Sequence, residues 1–349
     1  MDYLSTIPLD IIFYITSFLV ESSRVALLQT CHKLHNIMVG FVYKRVAVSG
    51  VRARQLSLTI MTSRRLRYGN LIQSFELQGR KGYSDMYLTY PLVADALCKM
   101  PYLRSLDISV PYLHAKYFLN VMRSKGMIRD TFSNAAFLDE IDLGGRPTSG
   151  YAFPKLSSIT LDGHLDLIAI AQNRQLASLT IKSRIQVKGV GKILDCIQCS
   201  SLKTLDISIW ITTTLELIFV LYLIGQACDE LTELSITTDS FKSLDVSQAL
   251  ADGATYFSRL RSLSISPHDE RAPIFVKNAE ECFARQLSHL DKAKHLIQNL
   301  KTVTLGPVIW NRVENAYDND WKCQFFETKA WKTLALEDPF DCSSIYSFE

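Results

Sequence analysis

The sequence predicts an α/β fold in which one strand-and-helix unit is repeated along most of the chain, after a small all-α segment. Two observations carry this prediction. A short apolar phrase, L-x-x-L-x-L, recurs between about residues 70 and 340, and segments with helical periodicity separate its copies. The first 45 residues lack the phrase and instead have the apolar spacing of two or three short helices.

The repeated phrase is expected to form a strand in each unit, because its last apolar residues alternate with period two and so face one side. Its clear copies begin at Leu103, Leu138, Leu156, Leu176, Leu202, Leu231, Leu260 and Leu300, with weaker copies at Ile72 and Trp331. Between them, helices are predicted over Leu92–Met100, Leu165–Asn173, Val190–Cys199, Leu215–Cys228, Gln248–Phe257 and Ala279–Asn299. Successive clear copies are 18 to 40 residues apart, so the repeat is irregular.

This pattern resembles the leucine-rich-repeat family, whose period is about 20–29 residues. The resemblance implies an irregular solenoid with parallel strands on its concave face and helices on its convex face. A doubly wound sheet or a barrel is disfavoured, because such strands are nearly continuous in apolar residues and these alternate with Ser, Thr and Asp. The Asn or Cys that the family usually carries after each strand is absent; His164 and Trp210 stand at two such positions.

The first 45 residues carry a second resemblance. They contain Ile7-Pro8-Leu9-Asp10-Ile11-Ile12, then Ile15, Phe18 and Leu19, and then the run Leu27–Leu34. Proline is favoured in a first helical turn, so a helix should begin near Pro8, and another near Glu21 or Ser22. Two or three such helices cannot bury this much apolar surface by themselves.

These phrases resemble the F-box, although Ile7 replaces the usual Leu. The resemblance implies docking on the Skp-type adaptor of a cullin–RING ubiquitin ligase. The implied adaptor-binding residues are Leu4, Ile7, Pro8, Ile11, Ile12, Ile15 and Leu19. We therefore predict an F-box helical module over residues 1–45 and a leucine-rich-repeat solenoid with capping ends over residues 46–349. The alternative is a plain helical cap on a stand-alone repeat protein.

Composition narrows the class of protein further. The chain has 349 residues, of which 48% are hydrophobic, and a formal net charge of only +3, which gives little reason to expect nucleic acid or a membrane as partner. Nine Lys or Arg lie between Lys44 and Lys81 against the single acid Glu76, and we interpret this segment as a solvated edge of the first repeats. Eight cysteines in apolar surroundings suggest free thiols in the cytoplasm or nucleus.

Catalytic motifs are hard to find, and we expect neither an enzyme nor a cofactor. Val187–Lys192 has two glycines and a lysine but lacks the spacing of a phosphate-binding loop. The seven histidines form no H-E-x-x-H pattern. Cys196-x-x-Cys199 has no second C-x-x-C for a zinc site, and we interpret both residues as packing cysteines.

A protein target is expected to bind the polar strand face or the loops that follow the strands. Small hydroxyls and acids occupy the polar strand positions, and a solvated Ser/Thr ladder without a ligand is an equal alternative. Large aromatic and Arg side chains in exposed loops are typical of binding hot spots. The candidate target-binding residues are Asp107, Asp142, Arg184, Asp206, Trp210, His268 and Trp310.

Overall fold

The protein is described from a computed structural model. It describes residues 7–63, 66–79, 86–128, 153–238, 246–253, 256–267, 284, 286–288, 290–291, 299–305, 308–314 and 319–323. The chain divides into two compact units, Met1–Ile170 and Ala171–Glu349. The predicted boundary after residue 45 lies within the first unit, at the first residue of its first strand, Arg45–Ser49.

Unit 1 begins with three helices: α1 (Leu9–Phe18), α2 (Glu21–Leu28) and α3 (His32–Val42). Helix α1 starts directly after Pro8, as predicted. The side chain of Arg24 in α2 covers the end of α1, with Nε donating to the Thr16 carbonyl at 3.1 Å and Nη2 to the Ser17 carbonyl at 3.3 Å. Cys31 separates α2 from α3, because its backbone is extended and its Sγ accepts from the Leu34 N–H at 3.5 Å.

Four parallel strands follow in unit 1. They are β1 (Arg45–Ser49), β2 (Ser74–Gln78), β3 (Ser105–Ser109) and β4 (Ser158–Asp162), paired in chain order and in register. Helix α4 (Gly50–Thr62) connects β1 to β2, and α5 (Met86–Leu97) connects β2 to β3. Helix α6 (Ala115–Ser124) follows β3, and a 3-10 helix spans Leu165–Ala171 after β4. The sequence did not predict β1 or α4. The copy at Leu138–Leu143 lies outside the described residues, and β3 pairs directly with β4.

Unit 2 continues the same alternation of strand and helix. Its parallel strands are β5 (Ser178–Gln186), β6 (Thr204–Trp210), β7 (Glu233–Thr238), β8 (Ser262–Pro267) and β9 (Thr302–Leu305). The helices between them are α7 (Val187–Cys196), α8 (Thr214–Ala227) and α9 (Val246–Gly253). Strands β10 (Val308–Glu314) and β11 (Asn319–Cys323) then pair antiparallel and extend the sheet from β9. The repeat phrase did not predict this hairpin.

The repeated phrase supplies the core of both units. Leucines at the start of the copies are at most 5% exposed at positions 103, 156, 176, 202, 231, 260 and 300. Alternate strand residues, such as Leu106 and Ile108 in β3, are fully buried. Neighbouring strands are also joined just before they begin. The carbonyl of Lys203, which precedes β6, accepts from the N–H groups of Thr232 and Glu233 at the start of β7, at 2.8 and 2.9 Å. The predicted α/β class and the strand positions that the structure describes are therefore confirmed.

Candidate interaction surfaces

Helix α1 buries one narrow line of side chains against the rest of the helical module. Only Ile12 and Thr16, one turn apart, are buried on this helix. The Thr16 hydroxyl donates to the Ile12 carbonyl at 2.6 Å and lies 3.3 Å from the Met38 sulfur of α3. Met38 is fully buried, so this line fixes α1 against the core of the module.

The remaining faces of α1 form an apolar surface that the described chain leaves open. We call it the α1 surface, and define it as Leu9, Ile11, Tyr14, Ile15 and Phe18, all between 48% and 71% exposed. Tyr14 and Phe18 contact each other edge to face at 4.9 Å. A helix that is apolar on nearly every side is stable in water only when something covers it. The α1 surface is therefore a candidate docking site.

The predicted adaptor-binding residues divide into three groups. Pro8, Ile11 and Ile15 are exposed on the module, and Ile7 and Leu19 are partly exposed. Ile12 is only 6% exposed, so its predicted place among the contact residues is corrected: it packs inside the module. Leu4 lies outside the described residues. The prediction missed Tyr14, although its spacing of three residues from Ile11 and four from Phe18 was readable.

A groove of about 800 Å³ opens in unit 1 where α2 meets α3. Its lining is Leu28, Gln29, Cys31, His32, His35, Asn36, Ser63, Leu66 and Tyr68. Asn36 Nδ2 and His32 Nδ1 lie 3.1 Å apart, and the rings of Tyr43 and Tyr68 stack with centroids 4.6 Å apart. The lining offers hydrogen-bonding groups but no carboxylate that would pair with a histidine for acid–base chemistry.

The polar strand face of unit 1 is acidic. In-register pairing aligns Glu76 with Asp107, and Ser109 with Asp162. The Ser109 hydroxyl donates to Asp162 Oδ2 at 2.9 Å, and Gln78 Nε2 donates to Glu76 Oε1 at 2.6 Å. The predicted Asp107 therefore lies between Glu76 on β2 and Thr160 on β4, whereas Asp142 lies outside the described residues.

Aromatic side chains gather in the helices and loops beside these strands. Tyr87 contacts both His114 and Tyr117, with ring centroids 4.6 and 5.0 Å apart, and the Tyr90 hydroxyl lies 3.1 Å from His114 Nδ1. Burial raises the pKa of Tyr90 to about 12, so its phenol stays protonated at neutral pH. Tyr112 stacks on His164 at 4.5 Å and is 67% exposed. The sequence marks His164 as a departure from the repeat pattern but does not predict its contact with Tyr112.

The polar face of unit 2 is dominated by small side chains. Thr180, Asp206, Ser235, Ser264 and Thr304 align across β5 to β9. Partial burial raises the pKa of the Asp206 carboxyl, and a hydrogen bond with Ser235 and the charge of Lys182 act in the opposite direction.

The two predicted tryptophans have opposite environments. Trp210 ends β6 and is 55% exposed, as expected for a contact residue. Trp310 is 3% exposed, and its indole Nε1 donates to Gln286 Oε1 at 2.9 Å. Its proposed role in an exposed loop is therefore wrong: it lies in β10, where alternation turns its side chain into the core with Val308. Arg184 is exposed on β5, and His268 lies outside the described residues.

Over the described ranges, no group of three or more His, Cys, Asp or Glu side chains is arranged to hold a metal ion. Within the same ranges, every helix is too short or too polar to cross a bilayer.

Comparison with known proteins adds little to these observations. No protein-family model matches the sequence, and no curated protein matches it. Among solved structures, the chain is similar to the crystal structure of the Rad7 and Elc1 complex in yeast. The similarity has a TM-score of 0.30 and 10% sequence identity, and covers 84% of this chain and 85% of that chain. At this TM-score the likeness supports no conclusion about fold or function.

Proposed function

We propose that the protein is a substrate receptor of a cullin–RING ubiquitin ligase, with an F-box at its N-terminus and a leucine-rich-repeat domain behind it. The observation that carries this proposal is the α1 surface. Five large apolar side chains stand open on a helix whose buried side chains are Ile12 and Thr16. The residues that form this helix are the ones whose order resembles the F-box.

In this proposal the α1 surface docks on a Skp-type adaptor, which links the protein to cullin. Covering a Phe or Ile side chain removes apolar area from water and stabilises the complex by about 25 cal/mol for each Å² buried. Aromatic anchors such as Tyr14 and Phe18 would form the centre of the interface. The protein itself carries out no chemistry; it holds a target close to the ligase, so that the effective concentration of the target rises. It would act in the cytoplasm or the nucleus.

The repeat units would recognise the target. In unit 1 the acids Glu76, Asp107 and Asp162 on the polar strand face favour basic side chains, and the exposed ring of Tyr112 offers a flat apolar contact. In unit 2 Asp206 and Trp210 would play the corresponding roles. Electrostatic complementarity of this kind mainly sets specificity and the rate of association.

A second function remains supported by one observation: α1–α3 belong to the same compact unit as β1–β4. This is also the position of a cap that closes the end of a repeat array. In that case the protein is a stand-alone repeat scaffold or inhibitor without a link to ubiquitin, and the α1 surface meets a different partner.

Binding to a purified Skp-type adaptor tests the proposal. The double substitution Ile11→Asp and Ile15→Asp places two charges in the α1 surface and should weaken binding at least a hundredfold, because buried charges without partners are costly. Both side chains are exposed, so the fold should be retained. Circular dichroism checks the fold, and isothermal titration measures the affinity.

Val51→Asp is the matched control. Val51 is 51% exposed in α4 of the same unit but does not belong to the α1 surface. It should bind the adaptor as the unaltered protein does. Absence of any binding by the unaltered protein would favour the stand-alone scaffold, and equal weakening by Val51→Asp would show that the effect is not specific to α1.

A further inference from the structure

Two cysteines occupy the same place in consecutive repeats of unit 2. Cys199 precedes Leu202 by three residues, and Cys228 precedes Leu231 by three. The Leu202 N–H donates to the Cys199 carbonyl at 3.1 Å, and the Leu231 N–H donates to the Cys228 carbonyl at 3.2 Å. Each cysteine therefore begins the same turn into its strand, β6 for the first and β7 for the second.

The register of the sheet brings these two turns side by side. Thr204 pairs with Glu233, which is 29 residues further along the chain, and Cys199 and Cys228 have the same separation. Neighbouring parallel strands lie about 4.8 Å apart, which is within the range of Cα separations that a disulfide spans. The equivalent position holds Met100, Phe153 and Phe257 in other repeats, so it faces the interior.

The two side chains interact directly. The Cys228 thiol hydrogen-bonds to the sulfur of Cys199, and this bond lowers the pKa of Cys199. The same bond, together with burial, raises the pKa of Cys228, which is 2% exposed. As a thiol, Cys199 can also donate to the Leu194 carbonyl at 3.5 Å. Cys199 is partly exposed, so one member of the pair is accessible and the other is enclosed.

We propose that Cys199 and Cys228 form an oxidation site that takes a hydroperoxide as its co-reactant and closes a reversible disulfide between neighbouring repeats. The Cys199 thiolate attacks one peroxide oxygen and the O–O bond breaks. Cys199 becomes a sulfenic acid, and hydroxide is the leaving group when the peroxide is hydrogen peroxide. The Cys228 sulfur then attacks the Cys199 sulfur and releases water. Two thiols are oxidised by two electrons, and one peroxide is reduced.

Cys196 is not expected to replace Cys228 as the disulfide partner of Cys199. It ends α7, and Ile197 after it adopts an extended backbone, so the C-x-x-C residues do not lie on consecutive turns of one helix. The C-x-x-C motif is thus misleading, because the partner of Cys199 is the cysteine one repeat later rather than the one three residues earlier.

The test is a map of oxidised cysteines in the full-length protein. Reduced protein is treated with an equimolar amount of hydrogen peroxide, free thiols are alkylated, and peptides are identified by mass spectrometry. The expected product is a Cys199–Cys228 cross-link that lacks two hydrogens and disappears on reduction. The cross-linked protein should also unfold at a higher urea concentration than the reduced protein, because the bond closes a long loop.

Variants separate the two steps. Cys228→Ser should leave the sulfenic acid on Cys199 unresolved, so that dimedone labels Cys199 several-fold more than in the unaltered protein. Cys98 is the control. The residue is accessible to reagents, but partial burial of its sulfur raises its pKa. Dimedone labelling of Cys98 equal to that of Cys199, or a cross-link between Cys196 and Cys199 in the unaltered protein, would overturn the proposal. The cross-link map needs no variant, so a folding defect in Cys228→Ser cannot obscure the result.

Discussion

Two tryptophans show how strongly the environment of a single residue decides its role. Trp310→Ala removes a side chain that is 3% exposed and leaves the Gln286 amide without its indole partner. Such substitutions cost about 3–5 kcal/mol. Trp210→Ala removes a side chain that is 55% exposed and should cost less than about 1 kcal/mol. Urea unfolding of the two variants measures both values, and equal losses would contradict the assigned environments.

The sequence could predict the residues that repeat but not those that end the pattern. Leu106 and Ile108 are buried as their phrase requires, because period-two alternation directs them to one face. Trp310 was misplaced because β10 reverses direction and pairs with β9 antiparallel, so the rule for loops after parallel strands does not apply. Its alternation with the buried Val308 was a signal for a strand.

Helix α8 depends on close approach to the next repeat. A Cβ added at Gly225 would overlap the Cβ of Tyr256 and lie 2.8 Å from its carbonyl oxygen. Gly225→Ala should therefore destabilise unit 2 by about 1–2 kcal/mol, since overpacking costs about 1–3 kcal/mol and the better helix propensity of alanine returns at most about 1 kcal/mol. The free energy of unfolding in urea is the quantity to measure.

Gly191 provides the matched control for this prediction. It lies in α7 of the same unit, and a Cβ added there has nothing within 4 Å. Gly191→Ala should stabilise the protein by about 0.5–1 kcal/mol through helix propensity alone. If both substitutions changed stability in the same direction, the close contact at Gly225 would not be the cause.

The start of α8 could be predicted from the sequence, whereas β1 could not. Thr213 caps the start of α8: its Oγ1 accepts from the Glu216 N–H at 3.2 Å, and Glu216 Oε2 accepts from the Thr213 N–H at 3.2 Å. This T-x-x-E spacing was readable from the sequence. In contrast, β1 carries no complete copy of the repeat phrase, and it becomes a strand because β2 pairs with all five of its residues.

At the scale of the whole molecule, the division of labour rests on where apolar surface remains open. The repeats bury the alternate apolar residues of their strands, whereas α1 leaves five large apolar side chains exposed. Sequence resemblance indicated a docking helix, but burial decided which of its residues are available. Ile12 and Thr16 hold α1 to the module, and the α1 surface faces outward.

This arrangement links adaptor binding to the stability of the helical module. Loss of the packing between Thr16 and Met38 would release α1 and destroy the docking surface, so the adaptor should bind only the folded module. A partner that binds only the folded state at one hundred times its Kd stabilises that state by about 2.7 kcal/mol. Hydrogen exchange of the α1–α3 amides should therefore slow about a hundredfold at that adaptor concentration. The Ile11→Asp and Ile15→Asp double variant should show no such protection, and unchanged exchange in the unaltered protein would leave α1–α3 as a cap alone.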